Sequence, residues 1–154
     1  MPLEKGIFAK VDDDDYANLL QYKWFIAGRY VRRCLPMTNK QQPQVPMHYD
    51  IFRRKIGFQI DHINGDKLDN RKSNLRYCTS DENSWNKKIT KSNTSGYKGV
   101  SPVYRRWRVL IYVHGRRIHL GQYKNPIVAA KVYDRKAREL FGEFANTNFK
   151  EDYG

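Results

Sequence analysis

Apolar residues recur along this chain in short bursts, and the spacing within each burst predicts a different element. Ile7, Ala9 and Val11 alternate with polar neighbours, as a strand with one buried face does. The four aspartates at 12–15 then signal a helix start over 16–22, because acids near a helix N-terminus complement its dipole. Residues 24–33 predict a hairpin turning at Gly28, and the three prolines and several glutamines of 36–46 predict a loop. A short helix over 47–54 leads into an apolar run, 56–60, that reads as a strand ending on Asp61-His62. After a polar loop containing Gly65, residues 75–78 form the return strand, and Thr79 or Ser80 caps a helix with Asp81 and Glu82 in its first turn.

The pattern changes at 90–96, which is polar, ends on glycine and has no apolar period. Beyond it, 97–100, 107–114 and 117–123 predict three strands, the last two joined by a turn at His114-Gly115-Arg116. Asn125-Pro126 then opens a helix, with Asn as cap and Pro in the first turn. Ala130, Tyr133, Ala137, Leu140 and Phe141 make one apolar stripe along it, and Gly142 stops it. The expected class is α+β. It comprises a β-rich N-terminal support (1–46), a small two-strand-and-helix core (47–90), a linker (91–96), a three-stranded antiparallel sheet packed on one helix (97–149) and a tail (150–154).

Charge sharpens this division. The 154 residues carry a net +13, with 14% aromatic side chains. Residues 29–60 hold net +6 and 91–124 net +8, whereas the segment between them, 61–90, is nearly balanced at +1. Two cationic blocks around a carboxylate-bearing centre suit a nucleic-acid partner, since Lys and Arg release phosphate counterions. A ribosomal or merely soluble basic protein is the alternative on composition alone. Cys34 and Cys78 are too few for a disulfide framework or a four-cysteine zinc site. No apolar run approaches the ~20 residues that span a bilayer. A soluble, intracellular setting is expected, with no membrane partner and no small-molecule cofactor.

The chemistry concentrates at Asp61-His62. Phosphodiester hydrolysis needs an activated water and neutralisation of charge on the phosphate and the leaving oxygen. A divalent ion can supply the second, and neutral imidazole, with an ordinary pKa near 6.5, can supply the first. Asp61 is the natural metal ligand and His62 the natural base. Asn64, Asp69, Asn70 and Asn74 are turn-formers able to tie the intervening loop together, and Asn83 projects from the first turn of the helix that follows. The aspartates at 12–15 fit a solvated helix cap better than a metal cluster, because adjacent carboxylates diverge on the backbone. His48 fits a packing or phosphate-contact role better than a catalytic one.

Residues 60–86 resemble the ββα-metal core of HNH endonucleases of the phage and intron homing type. The matching positions are Asp61, His62, Leu68, Asp69, Asn70, Arg71, Asn74, Leu75, Arg76, Thr79, Asn83 and Asn86. The resemblance implies His62 as general base, Asp61 and Asn83 as ligands of one Mg2+ or Mn2+ ion, and Asn74 as the central asparagine that fixes the loop. It also implies double-stranded DNA as substrate.

The C-terminal segment resembles the ethylene-response-factor (Apetala-type) DNA-binding domain. Ser95-Gly96-Tyr97-Lys98-Gly99-Val100, Trp107-Arg108, Leu120-Gly121-Gln122-Tyr123, Ala129-Ala130, Tyr133-Asp134 and 144–149 carry the match. That likeness implies a sheet laid in the major groove, with Lys98, Arg105, Arg106, Arg108, Tyr112, Arg116, Arg117 and His119 toward DNA. Trp107 is either a core aromatic or a DNA contact. Ser101-Pro102 stands where plant members carry Arg after Gly-Val, so base specificity does not transfer. Arg29, Arg32, Arg33, Arg53, Arg54 and Arg71 are further candidate DNA contacts.

The expected activity is site-specific, metal-dependent DNA cleavage of the homing type, one active site per chain. As a monomer, the chain would nick one strand. The expected setting is the cytoplasm of a bacterial or phage-infected host. A DNA-binding regulator with a vestigial nuclease core is the alternative reading.

Overall fold

The computed structural model describes residues 1–38, 40–90 and 92–150. It forms a mixed α/β chain with three small antiparallel sheets and four helices, divided into two compact units, Met1–Thr79 and Ser80–Gly154. Residues 151–154 of the expected tail and Lys91 of the expected linker lie outside the described residues. Among the described residues, no helix is long and apolar enough to cross a membrane.

In the first unit, helix α1 (Asp13–Leu20) follows Asp12 and carries the other three aspartates in its first turn. Strands β1 (Phe25–Ala27) and β2 (Tyr30–Cys34) form the expected hairpin, with Gly28 at φ 64° in the two-residue turn. The proline- and glutamine-rich segment departs from expectation. Gln44–Pro46 is a third strand, β3, paired with β2 through Arg32↔Pro46 and Cys34↔Gln44. The alternating segment around Ile7 is not a strand of a sheet. Among the described residues it makes isolated bridges, among them Lys10 with Asp69, rather than a paired ladder.

Helix α2 (His48–Ile51) is a single turn. Ala9, Leu19, Trp24, Val31 and Met47 form one buried cluster, onto which Ile51 and Leu68 pack. The N-terminal sheet, α2 and the polar loop therefore share a core. Trp24 fixes its indole N–H on the Leu19 carbonyl at 2.7 Å, at the end of α1. Strands β4 (Gln59–His62) and β5 (Leu75–Cys78) pair antiparallel as expected. However, β4 starts at Gln59, and Ile56 belongs to a turn in solvent.

In the second unit, helix α3 (Ser80–Trp85) precedes a sheet of β6 (Val100–Val103), β7 (Arg106–Val113) and β8 (Arg116–Tyr123), ordered β6-β7-β8. β6 begins three residues later than expected. Gly96 and Gly99, at φ 75° and 73°, wrap the preceding chain into a turn that Ser95 ties to the Val100 carbonyl. Helix α4 (Pro126–Phe141) runs where the stripe predicted, its Ile127 N–H donating to the Asn125 side chain at 2.8 Å. Val100, Val109, Ile111, Ala129, Ala130, Tyr133, Ala137 and Phe141 make its core. Buried Asp134 accepts hydrogen bonds from the Asn148 and Phe149 backbone N–H groups and from the Asn148 side chain, which pins the chain after α4.

Candidate active site

The site is built on the β4–β5 hairpin of the first unit. Its register sets Asp61 opposite Arg76 and His62 opposite Leu75. Asp61 and His62 are both buried, His62 completely. Burying a carboxylate is costly unless its charge is met. Here the Arg76 guanidinium lies 3.2 Å from Asp61 Oδ2 and the Lys67 ammonium 3.9 Å from Oδ1.

The loop between the strands is held by its own polar side chains. Asn74 Oδ1 accepts the Asn64 N–H at 3.0 Å, and its Nδ2 donates to the Asp69 carbonyl at 2.7 Å. Asn64 also donates to Asp69 Oδ2 at 3.0 Å and, through its own oxygen, accepts the Asp66 N–H at 2.8 Å. Arg71 grips both oxygens of buried Asp69 at 2.7 and 2.8 Å and holds that carboxyl below the usual carboxylate range. The N-terminal segment fastens the outside: the Lys10 N–H donates to the Leu68 carbonyl, and the Lys72 N–H donates to Asp12 Oδ2. Asp12 thus serves as a bracket, and Asp15 pairs with the Lys72 ammonium at 2.9 Å. Both are ion-pair and hydrogen-bond groups, and among the described residues no cluster of His, Cys, Asp or Glu is arranged to hold a metal by itself.

His62 Nε2 lies 3.3 Å from Asn70 Oδ1. An amide oxygen can only accept, so Nε2 carries the hydrogen and Nδ1 carries the lone pair of the neutral ring. Burial lowers the His62 pKa, and the Lys67 charge adds to it. The ring is therefore neutral at physiological pH, the form a proton acceptor requires. His48 meets it edge-on, with centroids 5.1 Å apart, and Tyr30 lies 5.5 Å from His48 and 6.1 Å from His62. Burial, with His62, Lys67 and Arg32 nearby, pushes the His48 pKa down to about 3.

The divalent ion that the resemblance implies would meet this donor set. One carboxylate beside an imidazole, without three or four closely grouped nitrogen or sulfur ligands, does not suit zinc. It suits a hard ion such as Mg2+ or Mn2+, which takes one or two carboxylates and completes its shell with water and phosphate oxygens. Asp61 supplies an oxygen donor of that kind, one that Arg76 and Lys67 already meet.

The structure brings Asp61, His62 and Asn74 together in one hairpin; Asn83 lies half-buried on α3, in the second unit. Of the candidate DNA contacts, three are engaged within the chain. Arg33 makes a two-pronged pair with Asp50 at 2.8 Å, Arg71 holds Asp69, and Lys98 donates to the carbonyls of Trp85 and Lys87 at 2.6 and 2.7 Å, closing the end of α3. Burial pushes the Lys98 ammonium pKa down to about 8. Arg32 is half-buried near the Tyr30 ring, and Arg54 lies over Tyr49.

Arg29 is exposed in the β1–β2 turn and Arg53 on the loop before β4. On the second unit's sheet, the register places Arg108, Tyr112, Arg117 and His119 on one face, through the pairs Arg108↔Gln122, Tyr112↔Arg117 and Leu110↔His119. Arg106 shares that face, Arg105 sits in the β6–β7 turn, and Arg116 pairs with Val113 at the hairpin end. Trp107 is half-buried and packs against the core cluster that includes the α4 stripe.

Sequence reasoning passed over Asn70, Lys67 and Arg76 as partners of the Asp-His pair. The Arg76 contact follows from hairpin register and was legible in principle. The approach of His48 to His62 is a tertiary contact between residues 14 apart, with no local signal.

A model of the HNH endonuclease family matches residues 48–85, from His48 through Trp85. An uncharacterized HNH endonuclease of Acanthamoeba polyphaga mimivirus is 34% identical over 146 residues, 94% of this chain and 76% of that protein. Protein 3.8 of Escherichia phage T7 is 43% identical over 91 residues, 58% of this chain and 74% of its own length. No solved structure matches the chain. The chain belongs to the HNH endonuclease family.

Proposed function

We propose that this chain is a site-specific, homing-type DNA endonuclease that hydrolyses one phosphodiester bond per encounter and, as a monomer, nicks a single strand. The observation that carries this reading is the buried Asp61-His62 pair at the end of β4, with His62 neutral, oriented by Asn70 and backed by a loop that Asn74 ties shut. Asp61 would hold one Mg2+ or Mn2+ ion. The sequence motif alone nominates Asn83 as a further ligand. When bound, the ion neutralises charge on the phosphate and on the leaving oxygen.

His62 Nδ1 takes a proton from water as the water oxygen attacks phosphorus. The P–O3′ bond breaks, and the 3′ oxygen leaves and gains a proton, giving 5′-phosphate and 3′-hydroxyl ends.

DNA is gripped by exposed cations, Arg29, Arg53 and Arg54 on the first unit and Arg105, Arg106, Arg116 and Arg117 on the second, together with exposed Tyr112 and His119 and half-buried Arg108. The second unit's sheet acts as an ethylene-response-factor-type DNA-binding module. Arg33, Arg71 and Lys98 serve inside the chain. A supercoiled-plasmid assay with Mg2+ or Mn2+ tests the reading. Nicked circles are expected; no metal-dependent cleavage of any DNA contradicts the nuclease assignment, and linear product at single turnover and low enzyme contradicts monomeric nicking.

A further inference from the structure

The loop between α2 and β4 holds a feature that the active site does not use. Ile56 is 101% exposed, as much as in an extended chain. It occupies the first corner of a turn closed by the Phe58 N–H on the Lys55 carbonyl at 3.1 Å, with Gly57 at φ 81° in the second corner. A lone exposed aliphatic residue is ordinary on protein surfaces. This one is different because the turn beneath it is braced.

The Tyr77 hydroxyl donates to the Arg53 carbonyl at 2.6 Å, and Phe52 and Phe58 flank the Tyr77 ring at 5.3 and 6.4 Å. Lys55 lies over Phe58 at 4.5 Å. The loop's base is thus packed on β5 while its β-branched tip stands in water, immediately after three cations, Arg53, Arg54 and Lys55. A stiff apolar tip with adjacent positive charge is the equipment of proteins that push a side chain between base pairs from the minor groove and kink the duplex.

We propose that Ile56 is a wedge that enters the minor groove and unstacks one base step next to the scissile phosphate, with Arg53 and Arg54 on the flanking phosphates. The inference rests on the DNA-cleaving reading above and adds a device to it. Asp61 lies five positions after Ile56, which bounds their separation at roughly 17 Å. The unstacked step therefore lies within about five base pairs of the cut. Kinking there would open the groove and present the backbone to the buried Asp61-His62 pair.

The test reads DNA topology rather than cleavage. Wild-type protein in EDTA is bound to relaxed plasmid, a metal-independent topoisomerase is added, and the topoisomers are resolved after protein removal. Wild type should shift the distribution in proportion to the bound protein, as an unstacking wedge unwinds the duplex. Ile56→Ser, whose Tm should match wild type because the side chain touches nothing, should bind within about twofold and lose the shift. Arg53→Gln should bind more weakly yet give the shift at saturation. On intact duplex, Ile56→Ser should also lower kcat by about tenfold with little change in KM, and a mismatch near the cut should restore it.

An unchanged shift in Ile56→Ser overturns the wedge, as does the absence of any shift by wild type on plasmid shown to be bound. With cleavage intact, either result leaves the nuclease reading standing. Failure to bind plasmid at all would remove both.

Discussion

His48 and His62 meet edge to face with ring centroids 5.1 Å apart, both buried in the first unit. Neither ring can take a proton without placing charge in a water-poor pocket beside Lys67, and both pKa values fall for that reason. In the unfolded chain each histidine titrates near 6.5. Below that pH the unfolded state therefore binds more protons, and native stability falls as pH drops toward the folded value of about 3 for His48. Between pH 6.5 and 5, His48 alone should cost about 2 kcal/mol. Tm measured from pH 7 to 5 should decline, and His48→Phe should flatten that decline. A parallel decline in the variant contradicts the assignment.

Asn74 makes two hydrogen bonds that hold the loop behind the Asp-His pair, to the Asn64 N–H and from its own amide to the Asp69 carbonyl. Asn74→Ala leaves both partners unmet and should destabilise the first unit by about 2–4 kcal/mol. Asn74→Asp keeps the acceptor and should lose less. Chemical denaturation of the three proteins checks the ranking.

Arg33 and Arg117 separate the two uses of cationic side chains in this molecule. Arg33 spends its guanidinium on Asp50 and lies over Tyr22, whereas Arg117 stands exposed on the sheet face opposite Tyr112. Arg117→Ala should reduce the slope of log K against log salt by about one, and Arg33→Ala should leave it unchanged while lowering Tm. Equal slopes in the two variants would remove the sheet face from the DNA contact.

Gly99 sits at φ 73° where a Cβ would lie 2.0 Å from the Tyr133 ring and 2.8 Å from the Leu110 carbonyl. Gly99→Ala combines backbone strain with overpacking and should cost at least ~3 kcal/mol in the second unit. Gly115, whose Cβ would meet nothing, should tolerate alanine with only the smaller backbone penalty. Thermal melts of the pair check the contrast.

Much of this architecture is written locally. Asn125-Pro126 and Gly142 mark the ends of α4, the His114-Gly115 pair closes β7 on β8 with positive φ at both residues, and the Asp61–Cys78 stretch folds back with the expected pairing. What escaped depends on distant partners. Gln44–Pro46 is a strand only because β2 lies beside it, against its own proline-rich composition. Ile7, Ala9 and Val11 alternate, and Ala9 and Val11 join the core, yet the segment makes isolated bridges at Phe8 and Lys10 rather than a strand of a sheet. Ile56 belongs to an apolar run in sequence but to a solvent-facing turn in space, because Gly57 turns the chain before β4 begins. At the site, the Asp-His pair and the asparagine loop were legible, while the His48 ring and the Arg76 and Lys67 charges on Asp61 required the fold.

In the proposed reaction His62 removes a proton from the attacking water. Single-turnover cleavage of supercoiled plasmid by wild type and His62→Ala, with DNA affinity and Tm measured on the same preparations, tests it most directly. Loss of cleavage by at least ~100-fold, with affinity and fold retained, is the expected result. Cleavage by His62→Ala at the wild-type rate would contradict it.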